Sequence, residues 1–166
     1  MERLPLSGVR VIALSFLWAG PVNTLVLADL GAEVIKVEHH LARGPYRRDP
    51  GDLRSPFGYY PDHIMGEKHW NRSGTYNKLI RGKLSCVLDL NHPKGKELFL
   101  RLVKVSDVVQ DNYSRRAMPQ FGFDYPALKE VNPQIIMIRQ AGYGTIGPYK
   151  DYIAGGCPTG DHGGQT

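Results

Sequence analysis

A chain of 166 residues with 42% hydrophobic content is long enough to bury one core. Its net charge of +5 is carried by dispersed basic residues, and the densest group, Arg43, Arg47, Arg48 and Arg54, is broken by Asp49 and Asp52. That pattern excludes a nucleic-acid-binding stripe and reads as a solvated loop or a phosphate-facing rim. Cys86 and Cys157 are too few for a disulfide framework and lack metal-ligand spacing, so a reducing, cytoplasmic setting without a bound metal is expected. No long apolar run or signal-like start argues for a membrane or for export.

The first forty residues carry the strongest pattern. Val9-Arg10-Val11-Ile12-Ala13-Leu14 and Val34-Ile35-Lys36-Val37-Glu38 are short runs rich in Val and Ile, flanking a segment of helical spacing, which predicts a β-α-β unit. Pro21 suits the first helical turn and Gly31 its end, with Val22, Leu25, Val26 and Leu30 as the apolar stripe over the sheet. The loop at Ala19-Gly20 then lies where parallel sheets bind ligands and unpaired N–H groups favour phosphate. Glu38 stands where a dinucleotide-binding fold places its ribose-gripping acid, yet the glycine fingerprint is missing, which argues against NAD or FAD.

Residues 39–76 read as a long irregular stretch punctuated by Gly44-Pro45, Asp49-Pro50-Gly51, Ser55-Pro56 and Tyr60-Pro61. A strand is expected over Leu84–Leu90. A helix capped by Asn91 follows, running to about Val105 with Leu98, Leu102 and Val105 on one side. Val108-Val109 and Ile135–Ile138 supply two more strands around a helix from about Asp124 to Glu130. Strands and helices alternate throughout, which predicts a parallel α/β sheet.

A family resemblance rests on Pro5–Ile12, Ala19-Gly20-Pro21, Leu27–Glu38, Trp70–Gly74, Lys83-Leu84-Ser85 leading into Leu88-Asp89-Leu90, and Asp107-Val108-Val109. It continues through Asn112-Tyr113, Phe121-Gly122, Asn132-Pro133 and Gly147-Pro148-Tyr149. In their order and spacing these stretches resemble the amino-terminal part of the class III CoA-transferases, the carnitine and formyl-CoA transferase family that includes α-methylacyl-CoA racemase. The resemblance covers roughly residues 4–153.

The resemblance implies a Rossmann-like CoA-binding domain over residues 1–153, incomplete relative to the family's interlocked homodimer, with a divergent glycine-rich tail at 154–166. It implies coenzyme A as substrate, no permanent cofactor, and acyl-CoA and carboxylic acid partners without nucleic acid or membrane. It also implies an aspartate nucleophile that splits the exchange into acyl transfers. Carried over by position, Phe16, Leu17, Trp18 and Ala19 form the CoA-contacting turn, with packing as the alternative for the Trp18 ring. His39 stands where a basic residue meets the adenosine phosphates, and Lys83 where a phosphate contact competes with an ordinary surface lysine. Asn112 and Tyr113 match an Asn-Phe pair lining the CoA site.

The family pattern is lost at several points. Arg115-Arg116 replace a Pro-Gly turn, Gln120 replaces a basic residue, and the segment after Ile153 lacks the expected helix. Asp161, between Gly160 and His162, is the candidate nucleophile if the chain is shortened there; otherwise the chain is a truncated CoA-binding half whose nucleophile is missing. An acyl-CoA racemase and a non-catalytic CoA- or nucleotide-binding module are the alternative functions.

Overall fold

The computed structural model describes residues 3–16, 18–39, 60, 64, 66, 67 and 71–152. Five strands form one sheet: β1 (Arg10–Leu14), β2 (Glu33–Glu38), β3 (Lys83–Val87), β4 (Val108–Asp111) and β5 (Ile136–Arg139). Among the described residues five helices join them: α1 (Ala19–Asp29), α2 (Gly74–Ile80), α3 (Pro93–Lys104), α4 (Ala117–Phe121) and α5 (Tyr125–Val131). Every strand pair is parallel and the order is β3-β2-β1-β4-β5. This is the expected α/β sheet, doubly wound about β1: the chain steps outward to β3, then returns to the other side of β1 to lay down β4. Ile12 in β1 lies between Ile35 of β2 and Val109 of β4.

The central strands are apolar on both sides because both sides are covered. Ile12, Leu14, Val37 and Val109 meet Phe99 and Val103 of α3, Met118 of α4, Leu128 of α5 and Phe123 between α4 and α5 in the larger core. Val11, Ala13, Val34 and Val108 form the smaller core, with Leu27 and Ala28 of α1 packed against it. The rings of Phe99 and Phe123 are tilted against each other at 4.4 Å between centroids.

The helices differ from expectation in phase. In α1 the buried residues are Gly20, Pro21, Thr24 and Leu25, while Val26, expected on the covered stripe, is 51% exposed. Gly20 lets the start of α1 close on Ser15 and Asn112, and Leu27 and Ala28, outside the expected stripe, pack on the sheet core. In α3 the buried residues are Gly95, Phe99 and Val103, and Val105 is exposed. A Cβ on Gly95 would lie 1.9 Å from the Asp89 carbonyl oxygen, so this helix meets the loop before it through a glycine. His92 rather than Asn91 caps α3, its Nδ1 accepting from the Lys94 amide, while the Asn91 amide donates to Asp89 Oδ1.

Two short helices, α2 and α4, were not anticipated. The opening turns of α2 contain Gly74, Thr75 and Asn77, poor helix formers. The helix stands on the Ser73 cap, whose hydroxyl accepts from the Tyr76 amide, and on burial of Tyr76 and Leu79. Beneath it, the Glu38 carboxylate accepts from Lys36 Nζ, Tyr76 Oη and Ser85 Oγ. The acid that invited a ribose reading therefore fastens α2 to the ends of β2 and β3.

Candidate functional site

The strand order reverses at β1, and the carboxyl ends of β1 and β4 lie side by side there, with Leu14 opposite Asp111. In an open α/β sheet this is where a crevice for ligand forms. On one side of it runs the turn from Ser15 into α1; on the other, the turn from Asp111 through Asn112 and Tyr113.

Asn112 joins the two turns. Its Oδ1 accepts from the Phe16 amide at 2.7 Å and its Nδ2 donates to the Phe16 carbonyl at 2.5 Å. One donor and one acceptor on the same partner fix the orientation of the amide. A Cβ on Gly20 would come within 2.7 Å of Ser15 Cβ and 2.8 Å of Asn112 Cγ, so only glycine lets the start of α1 close on the clamp. Trp18 is the N-cap residue of α1 and makes no side-chain cap hydrogen bond, while Pro21 has no amide hydrogen. The first turn of α1 thus presents amide donors beside the crevice without a side-chain cap, a setting favourable to anionic oxygen.

Buried ionic groups stand behind the clamp. Asp111 is wholly buried; its Oδ1 accepts from the Tyr113 amide and its Oδ2 from Arg139 Nε at 3.1 Å. Burial pushes the Asp111 carboxyl up against the opposing pull of Arg139. The Tyr113 hydroxyl is pushed up to about 12, by burial first and by Asp111 second. Arg139 also donates to the Arg115 carbonyl, and the Arg115 and Arg116 side chains both reach Asp151. These contacts tie Arg139 and Asp151 to the turn after β4. Two buried polar atoms near the turns, Ser15 Oγ and Gln110 Oε1, find no hydrogen-bond partner among the described residues.

The expected site residues divide accordingly. Phe16, Trp18, Ala19 and Asn112 come together at the crevice. Lys78 Nζ sits 5.6 Å from the centroid of the half-exposed Trp18 ring, so that ring packs on α2 as well. Tyr113 packs against the larger core. His39 stands 3.5 Å from Asp89, an ion pair when the imidazole is protonated. Lys83, expected at phosphate, spends its ammonium on Pro21 O at 2.6 Å, Thr24 Oγ1 at 2.8 Å and Leu79 O at 2.8 Å. Leu17, Asp161 and the 154–166 tail lie outside the described residues, as do Cys157 and the arginines at 43, 47, 48 and 54.

Sequence reasoning missed Asp111, Arg139, Ser15 and Gln110. A charged or amide residue at the end of an apolar strand was the available signal for Asp111 and Gln110. Among the described residues no group of three His, Cys, Asp or Glu side chains could hold a metal ion. No helix there is long and apolar enough to cross a membrane.

The model of CoA-transferase family III matches residues 6–159. The chain is 40% identical over 149 residues to the succinate–glutarate CoA-transferase of Agrobacterium fabrum, covering 89% of this chain and 35% of that protein. It is 37% identical over 149 residues to the succinyl-CoA–L-malate CoA-transferase alpha subunit of Chloroflexus aurantiacus, covering 90% and 32%. A CAIB/BAIF family protein from Brucella suis superposes with a TM-score of 0.81 at 33% identity, covering 98% of this chain and 40% of that one. The chain thus spans about a third of the length of these curated relatives.

Proposed function

Because the chain belongs to CoA-transferase family III, we propose that residues 1–153 are the coenzyme A-binding portion of an enzyme that moves CoA from an acyl-CoA to a carboxylic acid. The observation that carries this reading is the turn at the reversal of strand order. Asn112 clamps Phe16 there, Gly20 admits close contact, and the first amides of α1 lack a side-chain cap. Amide donors held in place before the ligand arrives stabilise negative charge on a phosphate or on a reacting carbonyl oxygen.

The chemistry needs a carboxylate. Its oxygen attacks the thioester carbon, the C–S bond breaks, and CoA leaves as thiolate, giving a mixed anhydride. The thiolate then attacks the enzyme's own carbonyl carbon, releasing the donor acid and leaving an enzyme thioester. The acceptor carboxylate attacks that thioester, and the returning thiolate takes the new acyl group, regenerating the enzyme carboxylate. Within this chain Asp161 is the candidate for that role; in the other reading the chain is the CoA-binding half and the carboxylate lies outside it. The two curated relatives are named for succinate, glutarate and malate, which supports short dicarboxylic acids as the first substrates to test. A homodimer is the assembly that the family resemblance implies.

Titration calorimetry of the chain with CoA tests the binding reading, and transfer of label from succinyl-CoA to glutarate tests the reaction. Saturable CoA binding that Asn112→Ala weakens is expected. A folded chain with no affinity for CoA would overturn the proposal.

A further inference from the structure

Lys83 begins β3, in register with Val34 at the amino-terminal side of β2, whereas the crevice lies at the carboxyl ends of the strands. Its side chain reaches the first turns of α1, where the ammonium meets the Pro21 carbonyl and the Thr24 hydroxyl, together with the Leu79 carbonyl of α2. An ammonium has three N–H donors, and here three protein acceptors take them. Thr24 Oγ1 donates in turn to the Gly20 carbonyl at 3.1 Å, or to that of Pro21 at 3.3 Å. A continuous polar path therefore runs from Lys83 through Thr24 to Gly20, the residue that closes on Asn112 and Ser15.

This position is electrostatically costly. A cation near the first turns of a helix opposes the positive end of its dipole, and Lys36 is a second cation close by. Burial and Lys36 lower the Lys83 pKa to about 8. Charge kept in such a place is offset by its hydrogen bonds, and those bonds all end on the two helices rather than in the crevice.

We propose that Lys83 is a positioning residue for the CoA turn: it pins the start of α1 to α2 through Pro21, Thr24 and Leu79, and does not touch the ligand. The inference rests on the CoA-binding reading for its functional consequence, while the pin itself can be read without ligand.

The test compares wild type, Lys83→Met and the milder Thr24→Val by calorimetry with CoA and with 3′-dephospho-CoA. The set is repeated in a Trp70→Phe background, where Trp18, at the start of α1, becomes the sole indole. A pin predicts that Lys83→Met weakens both ligands by the same factor, about five- to twentyfold, as for loss of a charged hydrogen-bonding group. Thr24→Val should weaken both by a smaller common factor, and Trp18 emission should shift in both variants without ligand. A loss confined to CoA would make Lys83 a ligand of the 3′-phosphate and overturn the proposal; so would unchanged affinities with unchanged emission. If Lys83→Met does not fold, Thr24→Val carries the same comparison. If wild type binds neither compound, the CoA reading fails while the emission shift still decides the pin.

Discussion

Asn112 holds Phe16 by both of its backbone groups, accepting from the amide and donating to the carbonyl across a separation of 96 residues. A side-chain amide does here what a strand neighbour would do, at the point where β1 and β4 have stopped pairing. The turn before α1 is thereby held in place by the strand that follows the reversal of order. Asn112→Ala removes both bonds and should destabilise the fold by about 1–3 kcal/mol. CoA affinity should fall by about tenfold or more in calorimetry, and Asn112→Asp, which keeps only the acceptor, should fall between.

Gly20 sets how closely the turn approaches the clamp. With contacts of 2.7 and 2.8 Å awaiting any Cβ, Gly20→Ala must displace α1 or break the Asn112 bonds. A loss of about 1–3 kcal/mol is expected in chemical denaturation, with a weaker response to CoA. Gly122→Ala is the control for the glycine's backbone freedom. Its φ of +83° strains the substitution while nothing stands within 4 Å, so its cost should leave CoA affinity unchanged.

Lys83 makes a pH prediction whose sign follows from linkage. Its pKa is lowered from 10.5 to about 8 on folding, so between those values the unfolded chain holds more protons than the folded one. Stability from this group therefore rises with pH across about 8 to 10.5. The Tyr113 hydroxyl, raised to about 12, acts oppositely only above its ordinary value of 10.0. Between pH 8 and 10 the midpoint of urea unfolding should climb more steeply for wild type than for Lys83→Met; parallel profiles would remove the shift.

Asp161 is tested by separating binding from transfer. In the proposed reading CoA is held by the α/β unit, so Asp161→Asn should leave CoA affinity within about twofold. Any label exchange between succinyl-CoA and glutarate should disappear in the same variant. Exchange that survives Asp161→Asn would remove this aspartate from the nucleophile's role.

The alternation of elements was legible because Val9–Leu14, Val34–Glu38 and Ile135–Ile138 are apolar runs too short to be helices. The turn at Ala19-Gly20 was legible for the same reason: it follows such a run and precedes Pro21. The inner faces of α1 and α3 were not, since Gly20, Thr24 and Gly95 mark close approach by being small, and hydrophobic spacing does not register smallness. Nor did periodicity show α2, which stands on the Ser73 cap and the Glu38 cluster rather than on propensity. In the site, the family resemblance pointed to Asn112 and Lys83, but a side chain's direction depends on neighbours distant in sequence. Lys83 has the chemistry of a phosphate ligand, and its ammonium is drawn instead to carbonyls of helices that sequence alone did not place beside it.

The missing side-chain cap on α1 has a thermodynamic consequence. A capping side chain contributes about 1 kcal/mol to a helix, and Trp18 supplies none of it. In the proposed reading an anion bound at those amides would supply the absent cap, so the ligand would act as part of the helix as well as cargo. Folding and occupancy are then linked by mass action: ligand at a hundred times its dissociation constant adds about 2.7 kcal/mol to the stability of the folded state. Amide exchange in the first turn of α1 would be fast in the empty protein and slow in the occupied one, with the heart of β1 unchanged. In that reading the apparent melting temperature of this chain is a property of its solution as much as of its sequence.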